Sequence, residues 1–146
     1  MRKLVIAISM LAFTGAAASA DPIADRQALM KERGKLVGTL AKMVKGEQAF
    51  DAAAVLDALK GLEANAEKFD AAALFPAGSD HGGKTTAAPK IWEDTAGFKA
   101  AEDKFLADVK AAVASPPADL GGLKAQLGTI GDDCSSCHQT YRIKKS

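Results

Sequence analysis

The chain predicts an all-α protein, an antiparallel four-helix bundle, on three observations. Apolar residues recur at three- and four-residue steps in four separate stretches. No stretch alternates apolar and polar residues as a half-buried strand does. Aspartates stand ahead of three of the stretches, at Asp21, Asp51 and Asp119, where a helix needs an acceptor for its first free amides.

Residues 1–20 precede the bundle. Arg2 and Lys3 make a basic start, Leu4 to Ala17 is an apolar run, and Ala18-Ser19-Ala20 gives a small-x-small cleavage pattern. This is the layout of a secretory signal peptide, leaving residues 21–146 as a single domain. A retained anchor is the alternative, but the run is shorter than the ~20 residues needed to span a bilayer, and no later segment is apolar enough to cross one.

Asp21-Pro22 opens the first helix as a cap followed by proline in the first turn. Ile23, Met30, Val37 and Val44 then recur every seven residues, with Gly34 and Ala41 at the alternate positions, an a/d seam suited to bundle packing. Leu29, Leu36, Leu40 and Met43 form a second apolar stripe, wide enough to suggest a homodimer contact through the first two helices. Small residues at Gly34, Gly38 and Ala41 permit close approach, and Gly46 ends the helix. Val55, Ala58, Leu62, Ala66 and Phe69, broadened by Leu56 and Leu59, mark the second helix. Residues 77–89 are rich in Gly, Ser, Thr and Pro and read as a long loop, in which His81 is expected to be solvated. Pro89-Lys90-Ile91-Trp92 restarts order, with Ile91 and the sole tryptophan at one end of the core. Phe98, Ala101, Phe105, Ala112 and Val113, with Leu106 and Val109, mark the third helix, which Ser115-Pro116-Pro117 stops. In the fourth, Leu120, Leu123, Leu127, Ile130, Cys134, Cys137 and Tyr141 step by three and four residues without a break.

That last stripe contains Cys134-Ser135-Ser136-Cys137-His138, a C-x-x-C-H run built from the only two cysteines and one of two histidines. C-x-x-C-H is the attachment pattern of haem c. The two thiols add across the porphyrin vinyl groups, and the histidine becomes an axial iron ligand. On a helix, positions i, i+3 and i+4 share a face, so one side of one helix supplies both anchors and the ligand. A thioredoxin-like C-x-x-C would need βαβ surroundings, and a zinc site would need a fourth ligand, with His81 far away. A chance match is the remaining alternative. Because both cysteines continue the apolar stripe, the haem is expected inside one end of the bundle, with Gly128 and Gly131 giving it room.

Of the 19 Lys and Arg side chains, two lie in residues 1–20, which hold none of the 18 Asp and Glu. The remaining domain is nearly neutral, which argues against nucleic acid or an anionic membrane as its partner. No paired-carboxylate motif, Ser–His arrangement or phosphate-binding glycine loop is present, so nothing points to an enzyme.

Four stretches together resemble the class II cytochromes c, the cytochrome c′ superfamily. They are Arg26-Gln27-Ala28-Leu29-Met30-Lys31, Leu74-Phe75-Pro76, Pro89-Lys90-Ile91-Trp92, and Cys134 through Arg142. The C-terminal haem motif separates this superfamily from class I cytochromes c, which carry it near the N-terminus. The match is most like the low-spin, six-coordinate branch, in which a methionine of the first helix binds the iron opposite the histidine. The resemblance assigns that place to Met30; the alternative is a flexible core filler, as Met43 is read. It also implies that Arg26 and Gln27 contact a haem propionate and that Arg142 lies by the proximal face, against plain solvated or helix-dipole roles.

The implied function is a periplasmic electron carrier that meets redox partner proteins transiently, with Lys144 and Lys145 steering an acidic partner to the haem edge. The rival is a five-coordinate cytochrome c′ that binds nitric oxide or carbon monoxide at an open distal face. A third reading is a bundle whose haem mainly completes the core.

Overall fold

The computed structural model describes residues 21–144. Residues 1–20, read above as a signal peptide, and Lys145 lie outside the described residues. Six helices follow in order: α1 (Pro22–Val44), α2 (Ala52–Glu67), α3 (Ala71–Leu74), α4 (Lys90–Glu93), α5 (Thr95–Ala114) and α6 (Leu120–Tyr141). The four long ones form the bundle, α1 on α2, α2 on α5, α5 on α6, and α6 closing against α1. The single turns α3 and α4 flank the long loop.

The expected caps form. Asp21 Oδ1 accepts the amides of Ile23 and Ala24 at 3.0 and 3.1 Å, and Pro22 occupies a first-turn position where no amide is needed. Asp51 caps α2 with the amides of Ala53 and Ala54, and Asp119 caps α6 with that of Gly122. Asp70 and Asp94 do the same for α3 and α5. Gly46, at φ +75°, turns the chain out of α1.

The apolar core fills one half of the bundle. Leu40 and Met43 of α1, Val55, Leu59 and Leu62 of α2, Val109 of α5 and Leu123 of α6 have no exposed surface. Each such side chain contributes about 1.5–3 kcal/mol of burial, so this half can hold the helices together while the other half is hollow. A second, smaller cluster of Ile91, Phe98, Tyr141 and Ala87, with Phe75 and Trp92 against it, closes the far end. Trp92 packs there as expected, its Nε1 donating to the Phe75 carbonyl at 3.0 Å.

The buried residues of α1 are Arg26, Arg33, Leu40 and Met43. Of the apolar seam drawn above, Val37 and Val44 pack against the core and Met30 lines a cavity inside the bundle, all half-buried. The face of α1 turned inward thus carries two arginines, whose partners come from far along the chain. Of the second stripe, Leu36 packs on the same core as Leu40 and Met43, its methyl 2.8 Å from where a Cβ on Gly61 would sit. Leu120, expected to begin the stripe of α6, is 43 % exposed, and the stripe enters the core at Leu123.

Candidate functional site

In the hollow half of the bundle lies a cavity of about 710 Å³, within the usual ~300–1,000 Å³ of ligand and cofactor sites. One wall is the last two turns of α6, which carry Cys134, Cys137, His138 and Tyr141 into it at the predicted spacing. Another is α1, with Met30, Arg33, Gly34 and Val37. Phe98 and Glu102 of α5, with Phe69, Phe75 and Ile91, form the apolar back, and Lys84 to Ala87 of the long loop cover one side. Gly34 is the glycine that makes room here, with nothing within 4 Å of a Cβ built on it. Gly128 and Gly131, expected to do so, are on the exposed side of α6 and do not line the cavity.

Both cysteines are free thiols and half-buried. Burial is the main cause that raises their pKa values, Cys137 to about 11, with the Glu102 carboxylate adding to it. His138 is pushed the other way, first by desolvation and then by the charges of Arg142 and Arg33. A neutral imidazole is the form that binds a metal. Among the described residues, no group of three or more His, Cys, Asp or Glu side chains could hold a bare metal ion, which leaves no zinc site. Two thiols one helical turn apart, a neutral histidine beside them and a slot with apolar walls fit a flat macrocycle that brings its own metal.

The loop over the cavity is fastened at both ends. Arg26 is 5 % exposed. Its two terminal nitrogens donate to the Leu74 carbonyl, to the hydroxyl and carbonyl of Ser79, and to Thr85 Oγ1, at 2.6–2.9 Å. The guanidinium also stacks 4.7 Å from the Phe75 ring; burial lowers its pKa, and the charge of Asp21 offsets part of that. Four of its five N–H donors are thus spent on the end of α3 and on the loop, leaving Nε for any propionate. Gln27 donates to the Lys84 carbonyl at 2.9 Å. At the other end the loop pairs with the tail of α6, Ala88 N–H to the Tyr141 carbonyl at 3.0 Å and Ile143 N–H to the Thr86 carbonyl at 2.8 Å. Arg142 Nε donates to Thr86 Oγ1 at 3.3 Å, beside the isolated bridge between Ala87 and Arg142. His81 is outside the cavity, an exposed side chain paired to Asp80 at 2.8 Å.

All seven residues singled out from the sequence, Arg26, Gln27, Met30, Cys134, Cys137, His138 and Arg142, line this one cavity. Sequence reasoning passed over the polar cluster in its inner wall. Arg33 donates through Nε to Asn65 Oδ1 at 3.0 Å and grips Glu102 with its other two nitrogens at 3.1 Å. Asn65 returns bonds to the Leu29 carbonyl and Glu32. The one available hint was spacing, since Arg26, Arg33 and Leu40 also repeat every seven residues.

Known proteins share this fold. The family model described as cytochrome c′ matches residues 21–142. A cytochrome c-556 of Agrobacterium fabrum is 43 % identical over 131 residues, which span 90 % of this chain and 87 % of the relative. A cytochrome c′ of Rhodopseudomonas palustris is 42 % identical over 133 residues, spanning 90 % and 88 %. The solved structure of cytochrome c′ from Rhodopseudomonas palustris superposes with a TM-score of 0.81 at 41 % identity, over 88 % of this chain and all of that one. The chain belongs to the cytochrome c′ family, the class II cytochromes c, four-helix bundles that bind covalently attached haem c through paired cysteines of the kind found at Cys134 and Cys137.

Proposed function

We propose that the protein is a periplasmic electron carrier whose haem is held by Cys134 and Cys137 and ligated axially by His138 and Met30. The observation that carries this reading is the position of Met30. It lines the same cavity as His138 from the facing helix, half-buried, with Gly34 beside it leaving the wall open. The haem would supply the reversible one-electron change of its iron, and methionine–histidine ligation raises its potential.

The chain's own residues do the rest. Cys134 and Cys137 would fix the macrocycle to α6 beside His138, which would ligate its metal. Met30, on a helix anchored by Leu40 and Met43, would supply a second ligand from the facing wall, excluding exchangeable ligands and leaving little to rearrange when charge changes. Arg26 Nε, Gln27 and Arg142 line the cavity where carboxylates of the cofactor would emerge, and Lys31, Lys84 and Lys144 are exposed nearby to meet an acidic partner. Export fits the capped start of α1 at Asp21, directly after the small-x-small pattern. Among the described residues no helix is long and apolar enough to cross a membrane.

The rival is a five-coordinate cytochrome c′ binding nitric oxide or carbon monoxide, favoured by the near-equal identity to relatives of both names. Met30→Leu separates the two. In the carrier, the parent gives a low-spin spectrum with a weak far-red sulfur-to-iron band, and the variant becomes high-spin and binds carbon monoxide. A parent that is already high-spin, or a variant with unchanged spin state, refutes the assignment of Met30.

A further inference from the structure

The Arg33–Glu102 pair is unlike the other ion pairs of the chain. Its side chains are 8 % and 11 % exposed, whereas in pairs such as Lys99–Asp103 and Lys110–Glu67 both members are open to solvent. It joins α1 to α5 through a two-pronged contact, and Asn65 of α2, fully buried, holds the third edge of the guanidinium. The guanidinium lies flat against Phe105, 4.1 Å from the ring centre, with Phe69 at 5.9 Å. Buried ion pairs are an unprofitable way to join helices, since apolar side chains of the same volume do as well or better. The pair stands where it does one other thing. Both members line the cavity that Cys134 and Cys137 also line.

We propose that the Arg33–Glu102 pair, held in the cavity wall by Asn65, sets the reduction potential of the bound haem, with Arg33 stabilising the reduced state and Glu102 holding that effect in check. The inference rests on the reading that this cavity holds the haem. Reduction adds one negative charge to the cofactor, so a fixed cation in its wall favours the reduced form and a fixed anion opposes it. Water screens such charges strongly at the surface. Among Phe69, Phe105 and the apolar back of the cavity it cannot, and the same charges act at several times their aqueous strength. An arginine suits the role because it does not lose its proton at any working pH. The fork to Glu102 and the bond to Asn65 fix where its charge sits, so the field is constant from molecule to molecule.

The test is a redox titration of the haem-loaded full chain, followed by its visible spectrum with mediators present. Glu102→Gln keeps the size of the side chain and leaves Arg33 unopposed, so the potential rises. Glu102→Asp keeps the charge and returns the potential to near the parent value. Asn65→Asp retains both members of the pair and adds an anion against the guanidinium, so the potential falls. Opposite shifts from Glu102→Gln and Asn65→Asp are the expected result; a merely structural role would not give them opposite signs. Unchanged potentials in both, or shifts of one sign, overturn the proposal. If Glu102→Gln does not accumulate as a haem protein, Asn65→Asp decides alone: a fall supports the proposal and no change overturns it. The spectrum of the parent reports haem content and axial ligation separately, so failure of the underlying reading is visible before any potential is compared.

Discussion

Replacing Arg26 with alanine would remove four hydrogen bonds at once, three from the loop that covers the cavity and one from the end of α3 that leads into it. Three of the acceptors, the Leu74 carbonyl and the carbonyl and hydroxyl of Ser79, belong to buried residues, and Thr85 is half-buried. A buried acceptor left without a donor costs about 1–3 kcal/mol. The low end applies, because Gly78 and Asp80 on either side of Ser79 are exposed and water can follow the loop as it lifts. Three acceptors at about 1 kcal/mol each give about 3 kcal/mol, or roughly a hundredfold increase in the fraction of molecules with the loop open. The cost is local, since Arg26 touches no residue of the apolar half. Native-state amide exchange is therefore the assay. Protection at Ser79, Ala88 and Ile143 should fall about a hundredfold, while that of Leu59, Val109 and Leu123 holds. Arg26→Lys keeps the charge without the fork and should recover only part of the protection. Exchange at Ser79 and Ala88 within threefold of the parent would refute the clamp, and equal losses at loop and core would show that Arg26 acts on the whole bundle.

Two further outcomes follow from named contacts. Asp133 is buried on α6, with Lys104 on one oxygen and, among the described residues, no partner for the other. Burial raises its pKa, so the folded chain holds that proton more tightly than the unfolded chain, and stability falls as pH rises from about 4 through the raised value. Asp133→Asn should flatten that part of a stability–pH profile measured by urea unfolding; an unchanged slope would count against the assignment. A Cβ on Gly97 would come within 2.5 Å of both the Asp94 carboxylate and the Tyr141 hydroxyl, which bond to each other at 3.0 Å and tie the start of α5 to the end of α6. Gly97→Ala should lower stability by about 1–3 kcal/mol by overpacking, and an unshifted urea midpoint would show that the contact yields freely.

The long helices were legible because their evidence is local. Caps, stops and three-four spacing all lie within a few residues of the element they define, and the haem motif is its own geometry. The unread features depend on partners distant in sequence. Arg33 looks like any charged helix residue until Asn65 and Glu102, 32 and 69 positions away, are brought to it. For the same reason the expected seam of α1 was incomplete: Met30 and Val37 do line the interior cavity, but the inward face also includes Arg26 and Arg33. Leu120 fits the periodicity of α6 but stands in its first turn, beyond the reach of the neighbouring helices, and is exposed. The placement of Gly128 and Gly131 was misjudged for a related reason, since helical spacing says which residues share a face but not which face a neighbour leaves open.

The pairing of Thr86 and Ala88 with residues 141–143 has a temporal side. Contacts of α1 with α2 and of α5 with α6 close short loops, which is the kind that forms early. The latch joins positions more than fifty residues apart and uses the last described turns of the chain. A bundle assembled by its apolar half would stand with its other end ajar until those residues arrive, with both thiols facing the gap. If contacts close in that order, both thiols would stay within reach of a cofactor until the latch forms.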